Sequence, residues 1–441
     1  MDQLTIGIIA TASLFGLILI GFHIGVALML TSYLGVYFMI GRPAVAANLL
    51  KNTAFSAIND YVFAVIPLFV LMGLLATQAG ATRDLFTAAE ALMRRVRGGL
   101  GVATVAANAV FAAITGVSVA SAAVFSKIAV PEMQRHNYQL RFSLGIVASS
   151  ALLGMLIPPS ILLIVYGVIT EQSIGVLFAA ALVPGLIVAG ALSLTIWLMA
   201  ILRPQVVGGV EGIRAAVEDR TNRFLVVLRA WPIYVLIFLV LGGIYGGFFT
   251  PTEAGAVGAF GALMLLLMNR RFTARGMVGL LLETGRATAG IFFLLITASM
   301  YGRMLSLSQL PARISDWAVN LDVAPIVILL AFLVILLILG MILDSVSIIL
   351  LTIPIMAPVV SALGFDPIWF GIIAIITIEI GLLTPPFGMV VFAMKAALPP
   401  EVTLEDIYIG AAPFLLTLVA VLAVLIIFPA LTLTLPRWIY F

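Results

Sequence analysis

The sequence predicts an all-α polytopic membrane protein built from two inverted-topology repeats, and three observations support this fold class. Of 441 residues, 63% are hydrophobic and only 9% are charged, whereas soluble domains carry about 25% charged residues. Two adjacent prolines interrupt a long apolar run at Pro158-Pro159, and the same device returns 227 residues later at Pro385-Pro386. Basic residues are concentrated in one segment of the first half and are nearly absent from the corresponding segment of the second half.

Composition excludes several other classes of protein. Apolar runs recur along the whole chain, so neither a signal peptide nor a single anchor accounts for them. The chain has no cysteine and only two histidines, which excludes thiolate metal sites, disulfides and a cluster of several histidines. It also lacks a phosphate-cradling glycine-rich loop, an HExxH motif and a nucleophile triad. We therefore expect no enzyme, no ATP-driven pump and no nucleic-acid partner.

The double prolines mark two broken helices. Proline lacks a backbone donor and clashes with the preceding turn, so carbonyls at 154–157 lose their intrahelical partners. Such carbonyls are costly in hydrocarbon unless they line a polar or ion-filled cavity. Two interrupted helices at corresponding positions of two halves indicate the binding site of a secondary transporter.

The first repeat is expected over residues 1–225. The segment at about 98–131 is rich in small side chains and has a polar centre. The apolar stretch on either side of that centre is shorter than the ~20 residues that a helix needs to cross the bilayer, so the segment predicts a re-entrant hairpin. Residues of about 144–169 form the first broken helix. A charged arm, Thr82 to Arg97, is expected outside the hydrocarbon. The other predicted spans are Leu4–Ile20, Ile24–Ile40, Tyr61–Thr77 and Ile174–Leu202.

The second repeat is expected over residues 226–441 and follows the same order. It has a re-entrant hairpin at about 323–358 and a broken helix at about 368–394, after a charged loop from Asn269 to Arg286. The polar stretch from Arg203 to Arg229 separates the halves. The other predicted spans are Trp231–Phe248, Ala254–Met268, Ala287–Leu305 and Ile407–Leu431.

A single offset relates the two halves. Adding 227 carries Ser118 onto Ser345 and Gly154 onto Gly381, in the same register as the double prolines. Chance alignment of apolar helices is the alternative, but one offset matches a hairpin centre and a break together.

Charge gives the orientation. Residues 83–141 contain seven Lys and Arg, whereas the corresponding residues 310–368 contain only Arg313. By the positive-inside rule, the first hairpin opens from the cytoplasm and the second from the opposite side, so the repeats are inverted. The result is ten crossings and two hairpins, with both termini periplasmic.

The hairpin centres and the breaks supply the candidate site. Hydroxyls and free carbonyls are hard ligands suited to Na⁺, and hairpin helix N-termini favour an anion. The residues expected to bind the substrate are Thr115, Gly116, Ser118, Ser121, Pro159, Ser160, Ser345 and Pro386. The residues expected to bind the cation are Ser118, Gly154, Ile157, Pro158, Gly340, Asp344, Ser345, Gly381, Thr384 and Pro385.

Each of these assignments has a structural alternative. The serines also let membrane helices approach closely. Asp344 also suits a helix cap, and Glu379 suits a hydrogen bond to unwound backbone. Intramembrane carboxylates are nevertheless functional candidates, because they are expensive to bury.

Several segments, in order, resemble the large membrane subunit of tripartite ATP-independent periplasmic (TRAP) transporters over essentially the whole chain. The segments are Ile66-Pro-Leu-Phe, Gly98-Gly-Leu, Leu156-Ile-Pro-Pro-Ser160, Phe249-Thr-Pro-Thr-Glu-Ala254, Gly340-Met-Ile-Leu-Asp344 and Gly381-Leu-Leu-Thr-Pro-Pro-Phe-Gly388. The family usually has Ser-Gly-Ser at the first hairpin, where this chain has Thr115-Gly-Val, so the tip is less polar.

The resemblance implies Na⁺-driven import of a small organic acid anion across the bacterial inner membrane. It also implies a periplasmic substrate-binding protein, a small four-helix membrane subunit, and an elevator-type transport domain made of both hairpins and both broken helices. A stand-alone Na⁺/carboxylate symporter of similar inverted-repeat architecture is the alternative. An intramembrane enzyme lacks a catalytic arrangement, and a purely structural scaffold leaves the matched breaks unexplained.

Overall fold

The computed structural model describes residues 2–59, 61–93, 95–208, 226–228 and 230–440, and most of them are helical. The helices of the first half are α1 (Gln3–Leu19), α2 (Ile24–Ile40), α3 (Pro43–Ser56), α4 (Val65–Ala79), α5 (Ala81–Met93), α6 (Gly99–Thr115), α7 (Ser118–Arg135), α8 (Leu140–Ala151), α9 (Leu153–Leu156), α10 (Ile161–Thr170) and α11 (Ile174–Leu202). Those of the second half are α12 (Trp231–Tyr245), α13 (Pro251–Met268), α14 (Ala274–Ser308), α15 (Leu310–Val319), α16 (Pro325–Gly340), α17 (Ser345–Ala362), α18 (Pro367–Gly381), α19 (Met389–Ala397), α20 (Leu404–Ile427) and α21 (Ala430–Tyr440). Within the described residues, the β pairing is one isolated bridge between Tyr138 and Val207.

The two hairpins are helix pairs joined by short turns. In the first, α6 ends at Gly116, whose φ of 62° is left-handed, and α7 starts two residues later. In the second, α16 and α17 flank residues 341–344. Both second limbs extend beyond the expected bounds, to residues 135 and 362.

Both broken helices break at their double prolines. α8 and α9 lead to Ile157, residues 157–160 are non-helical, and α10 leaves at a bend of 40°. α18 ends at Gly381, and α19 begins at Met389. Each proline pair is joined by a cis peptide bond.

One sequence-based boundary is wrong. The expected loop from Asn269 to Arg286 is short, because Thr273 caps a helix that starts at Ala274 and continues for 35 residues. The Thr273 hydroxyl accepts a hydrogen bond from Gly276 N at 3.1 Å, so the basic residues of this stretch lie on a helix. Arg94 of the charged arm, residue 225 at the end of the first repeat and most of the Arg203–Arg229 stretch lie outside the described residues.

The helix bounds recur at the offset of 227 residues. α7 and α17 have the same length and register, and α8 and α18 start at residues 140 and 367. The packing is reciprocal as well: α4 packs on α13 while α2 packs on α14, and α7 packs on α19 while α17 packs on α10. The two halves therefore interlock, and their inversion across a membrane stays a prediction.

Several helices are suited to a bilayer. Among the described residues, six helices are long and apolar enough to cross one, or seven if α8 to α10 count as one bent span. Other apolar helices, such as α1 and α2, have 17 residues, which rise about 25 Å against a hydrocarbon core of about 30 Å. The chain is thus a multi-pass membrane protein, and the count of ten crossings stays a prediction.

The most buried part of the molecule is formed by the broken helices. Residues 142–167 and 369–383 are all buried, and they contact each other through α9, α10 and α18. The hairpins pack directly on them, with α7 on α8 and α16 on α18. This arrangement brings both hairpin turns to the two breaks.

Candidate functional site

The turn of the first hairpin lies against the first break. A Cβ atom on Gly116 would stand 2.7 Å from Pro159 O, and one on Gly154 would stand 2.9 Å from Val117 O. Both distances are shorter than side-chain contacts allow, so the close approach of the two backbones requires glycine at both positions. The first hairpin turn and the first break therefore form one backbone-lined unit.

The second hairpin uses the same device. A Cβ on Gly340 would stand 2.8 Å from Ile378 O, and one on Gly381 would stand 2.7 Å from the Gly340 Cα. A hydrogen bond of 3.2 Å from Gly388 N to Met341 O closes the unit on its other side. The corresponding glycines Gly154 and Gly381 thus each approach the hairpin of their own half, at Val117 in the first and at Gly340 in the second.

Hydroxyl groups satisfy part of the broken backbone. The Ser160 hydroxyl donates to Met155 O, and the Thr384 hydroxyl donates to Ile380 O at 2.8 Å. Thr115 does the same within its own helix, donating to Phe111 O at 3.1 Å. These three hydroxyls are engaged with backbone and stabilise the local chain geometry.

Asp344 caps the second limb of the second hairpin. Its carboxylate accepts a hydrogen bond from Ser347 N at 3.0 Å and another from the Ser347 hydroxyl. Asp is a favoured N-cap residue because its oxygen satisfies a free backbone donor of the first turn. The structure therefore supports the capping interpretation of Asp344, and it leaves ion binding by this residue as a prediction.

Glu379 reaches the hairpins from the second broken helix. It lies one turn before the break, its side chain is 2% exposed, and its Oε1 accepts a hydrogen bond from the Ser345 hydroxyl at 2.8 Å. The Ser118 hydroxyl of the first hairpin lies next to the same carboxyl group. Ser118 Oγ, Ser121 Oγ and Glu379 Oε2 have no hydrogen-bond partner among the described residues.

The structure groups the sequence-predicted residues into two neighbouring sets. The first set lies at the first hairpin and the first break and comprises Thr115, Gly116, Ser118, Ser121, Gly154, Ile157, Pro158, Pro159 and Ser160. Gly340, Asp344, Ser345, Gly381, Thr384, Pro385 and Pro386 lie at the second. The first break is buried, whereas Pro385 and Pro386 are exposed.

Sequence reasoning named Glu379 as a candidate but did not assign it to the substrate or cation site. The signal was present, because the same offset of 227 places Leu152 in the first half where Glu379 stands in the second. The corresponding positions of the two halves are otherwise mostly apolar, and burying a carboxyl group in a membrane protein is energetically costly, which indicates a functional role for Glu379. The contact with Ser345 depends on how the second hairpin folds onto the break, which no local pattern reports.

The Phe249-Thr-Pro-Thr-Glu253 segment is structural at its core. The Thr250 hydroxyl and the Glu253 carboxylate form a capping box at the start of α13, with Pro251 in its first turn. The same segment lines a cavity of about 650 Å³ together with residues of the α10–α11 link and Tyr440. This cavity is separate from the contacts between hairpins and breaks.

Comparison with known proteins agrees with this architecture. The solved structure of MtrF from Neisseria gonorrhoeae shares the fold with a TM-score of 0.60, at 11% identity, covering 96% of this chain and 95% of that one. The C4-dicarboxylate TRAP transporter large permease protein DctM of Pseudomonas aeruginosa is 36% identical over 390 residues, which cover 87% of this chain and 88% of that protein. The sialic acid TRAP transporter large permease protein SiaM of Vibrio cholerae is 31% identical over 423 residues, which cover 96% of each.

A family model confirms the relationship suggested by the motifs. The model described as "Tripartite ATP-independent periplasmic transporter, DctM component" matches residues 11–431, nearly the whole chain. The expectation that the chain is not an enzyme is confirmed as well, because the relatives are transporter permeases. The chain is therefore a member of the TRAP transporter family, as its large permease component.

Proposed function

We propose that this protein imports a small organic acid anion together with Na⁺, as the large subunit of a tripartite system. The observation that carries the proposal is the pairing of each hairpin with a double-proline break, which gathers hydroxyls and backbone carbonyls beside the buried broken helices. Broken helices with this composition serve ion and substrate binding in secondary transporters.

The substrate class is supported by the relatives. Those named above are called permeases for C4-dicarboxylate and for sialic acid, and both compounds are carboxylic acids. In this chain α7 begins at the first hairpin turn without a side-chain cap, and helix N-termini stabilise anions through their free N–H groups. A carboxylate is the substrate that this geometry favours.

Na⁺ suits the other ligands. Hydroxyl and carbonyl oxygens are hard donors that match a compact hard cation, and several must converge to replace its hydration shell. Candidates of both kinds lie at the hairpins and the breaks, and Ser118 and Ser121 are free to act.

The partners follow from the tripartite name of the family. We propose a separate small four-helix membrane subunit and a periplasmic substrate-binding protein. Only 22% of the most apolar stretch of α14 is buried within the chain, and exposed residues such as Val278, Leu281 and Leu282 offer an apolar face to lipid or to the small subunit.

The proposed transport cycle is an elevator movement in the bacterial inner membrane. Both hairpins and both broken helices form one packed body, which would carry its site past the remaining helices. The two inverted repeats would place this site near mid-membrane, and both termini in the periplasm.

Uptake by proteoliposomes tests the proposal. The chain, its small subunit and a candidate binding protein loaded with a radiolabelled dicarboxylate are assembled under an imposed Na⁺ gradient, with a K⁺ gradient as the control. Accumulation that needs both the Na⁺ gradient and the binding protein supports the proposal. Accumulation by the chain alone would favour the stand-alone symporter, and accumulation without Na⁺ would refute the proposed coupling.

A further inference from the structure

A single carboxyl group connects three parts of the proposed transport body. Glu379 belongs to the helix that precedes the second break, Ser345 opens the second limb of the second hairpin, and Ser118 opens the second limb of the first hairpin. The Ser345 hydroxyl binds Glu379 Oε1 at 2.8 Å, and the Ser118 hydroxyl lies beside the same group. The carboxyl group of Glu379 therefore lies beside the second limbs of both hairpins.

The other polar groups of the site are already occupied. The Asp344 carboxylate caps α17, and the Ser160 and Thr384 hydroxyls are bound to helix carbonyls. The oxygens left without a partner at this junction are Glu379 Oε2, Ser118 Oγ and Ser121 Oγ. Ser118 and Ser121 lie three residues apart on α7, so their side chains share a face of that helix.

Burial makes this arrangement expensive as it stands. A buried ion is costly unless it is paired and hydrogen-bonded, and one serine hydroxyl offsets only part of that cost. The N-terminal end of α7 offsets a further part of it, whereas Asp344 already occupies the end of α17. The balance calls for a proton or a bound cation at the carboxyl group, and the unpartnered Ser118 and Ser121 oxygens at the same junction favour the cation.

The protein itself does not supply this charge within the described residues. α11 has no ionisable side chain, α16 and α17 have none apart from the capping Asp344 between them, and Tyr166 of α10 donates its hydroxyl to Pro367 O. The ionisable groups of α20 and α21, such as Asp406 and Arg437, lie near the ends of those helices. In the described part of the chain, the hydrogen-bond partner of Glu379 is the neutral Ser345 hydroxyl.

We infer that Glu379 is the charged ligand of a monovalent cation held between the two hairpins, with Ser118 and Ser121 as neutral ligands. Ser345 orients the carboxylate through Oε1 and leaves Oε2 to the ion. This inference rests on the proposed Na⁺ coupling and makes it specific, because a cation at this point would draw both hairpin turns onto the second broken helix.

The test is an equilibrium measurement that needs no transport. The thermal unfolding midpoint of the purified full chain is recorded against rising NaCl, with choline chloride keeping the ionic strength constant, because a ligand that binds only the folded state raises it. The variants are Glu379→Gln, Ser118→Ala and Ser121→Ala. The control is Glu401→Gln, which removes an exposed carboxylate that lies after α19, outside the hairpins and the breaks.

Glu379→Gln separates an ion ligand from a structural residue. The amide oxygen still accepts the Ser345 hydroxyl, so a purely structural Glu379 predicts an unchanged Na⁺ response. We expect instead that the Na⁺ concentration for half-maximal stabilisation rises at least tenfold in Glu379→Gln and severalfold in each serine variant, while Glu401→Gln matches the wild type.

Two failures are distinguishable. If Na⁺ stabilises the wild type and Glu379→Gln responds equally, the inference is wrong and the proposed function stands. If Na⁺ does not stabilise even the wild type, the Na⁺ coupling itself fails, and this inference fails with it. A Glu379→Gln protein that does not fold is replaced by Ser118→Ala, whose unchanged Na⁺ response would also overturn the inference.

Discussion

At the residue scale, the hydroxyls of the site divide by the partner that each one has. The Ser345 hydroxyl is bound to a carboxylate of another helix, whereas the Thr384 hydroxyl is bound to a carbonyl of its own helix. Both were expected to bind the cation on sequence grounds alone. Their partners predict different consequences when each hydroxyl is removed.

Ser345→Ala should raise the Na⁺ concentration for half-maximal uptake about tenfold, which corresponds to about 1.4 kcal/mol, because the hydroxyl bonds a charged group. Thr384→Ala should change it only about twofold, because Ile380 O keeps its backbone hydrogen bond from Leu383 N at 3.1 Å. Na⁺ titration of initial uptake rates measures both. Equal shifts in the two variants would contradict the division.

Asp344 should tolerate an amide. Asn and Asp are comparable N-caps, whereas Ala leaves a backbone donor of α17 unpaired, so Asp344→Ala should lower the free energy of unfolding by about 1 kcal/mol and Asp344→Asn by much less. Thermal unfolding of the purified variants measures the difference. An Asp344→Asn protein that keeps its stability but loses Na⁺ dependence would show that the carboxylate acts on the ion.

Much of the site could be predicted from residue types. Adjacent prolines cannot continue a helix, so Pro158-Pro159 and Pro385-Pro386 located both breaks without a structure. Which oxygens remain free could not be predicted, because Ser160 and Thr384 turn back to their own backbone while Ser118 does not. That choice depends on the packing of distant segments.

At the element scale, the contact between α8 and α20 depends on two glycines. A Cβ on Gly145 would stand 1.9 Å from Gly410 O, and one on Gly410 would stand 2.0 Å from Arg141 O. The helices therefore touch backbone to backbone, and an ion pair of 2.8 Å between Arg141 and Asp406 lies at the end of the same contact. Exposed pairs of this kind contribute at most about 1 kcal/mol, so the glycines set the approach.

Gly145→Ala should destabilise the protein by about 2 kcal/mol or more, because the helices must separate to admit the methyl group. Gly279→Ala, in α14, is the matched control, since nothing lies within 4 Å of its added methyl group and alanine favours a helix over glycine. The unfolding midpoint and the yield of the monodisperse protein measure both. Similar midpoints for the two variants would contradict the packing argument.

The elements themselves were mostly predictable, and their ends were less so. Small residues around a polar centre indicated the first hairpin, and the offset of 227 indicated the second. The basic residues of 269–286, however, suggested a loop where a capped helix begins at Ala274. A run of charged residues indicates exposure to water, but an exposed helix places such residues in water as well as a loop does. Neither the length of α14 nor its exposed face follows from hydropathy.

At the scale of the whole molecule, the reciprocal packing of the halves raises the question of orientation. Arg95 and Asp316 are both exposed, and they lie in the segments whose basic content differs most. Inverted repeats place them on opposite sides of the membrane.

Single cysteines at Arg95 and at Asp316 are unambiguous probes, because the natural chain has no cysteine. An impermeant thiol reagent applied to intact cells should label the cysteine at 316 and should label the one at 95 only after the membrane is opened. Labelling of both positions from one side would refute the inverted arrangement and would leave the 227-residue offset as a parallel repeat.

The central claim is that entry of the anion is tied to entry of Na⁺ at the junction of hairpins and breaks. Simultaneous influx of radioactive sodium and of a differently labelled carboxylate into the same proteoliposomes, carrying the complete transporter with its binding protein, measures this coupling directly. The account predicts that each influx requires the other substrate and that Ser345→Ala weakens both together. Carboxylate influx at the full rate with no accompanying sodium influx would contradict it.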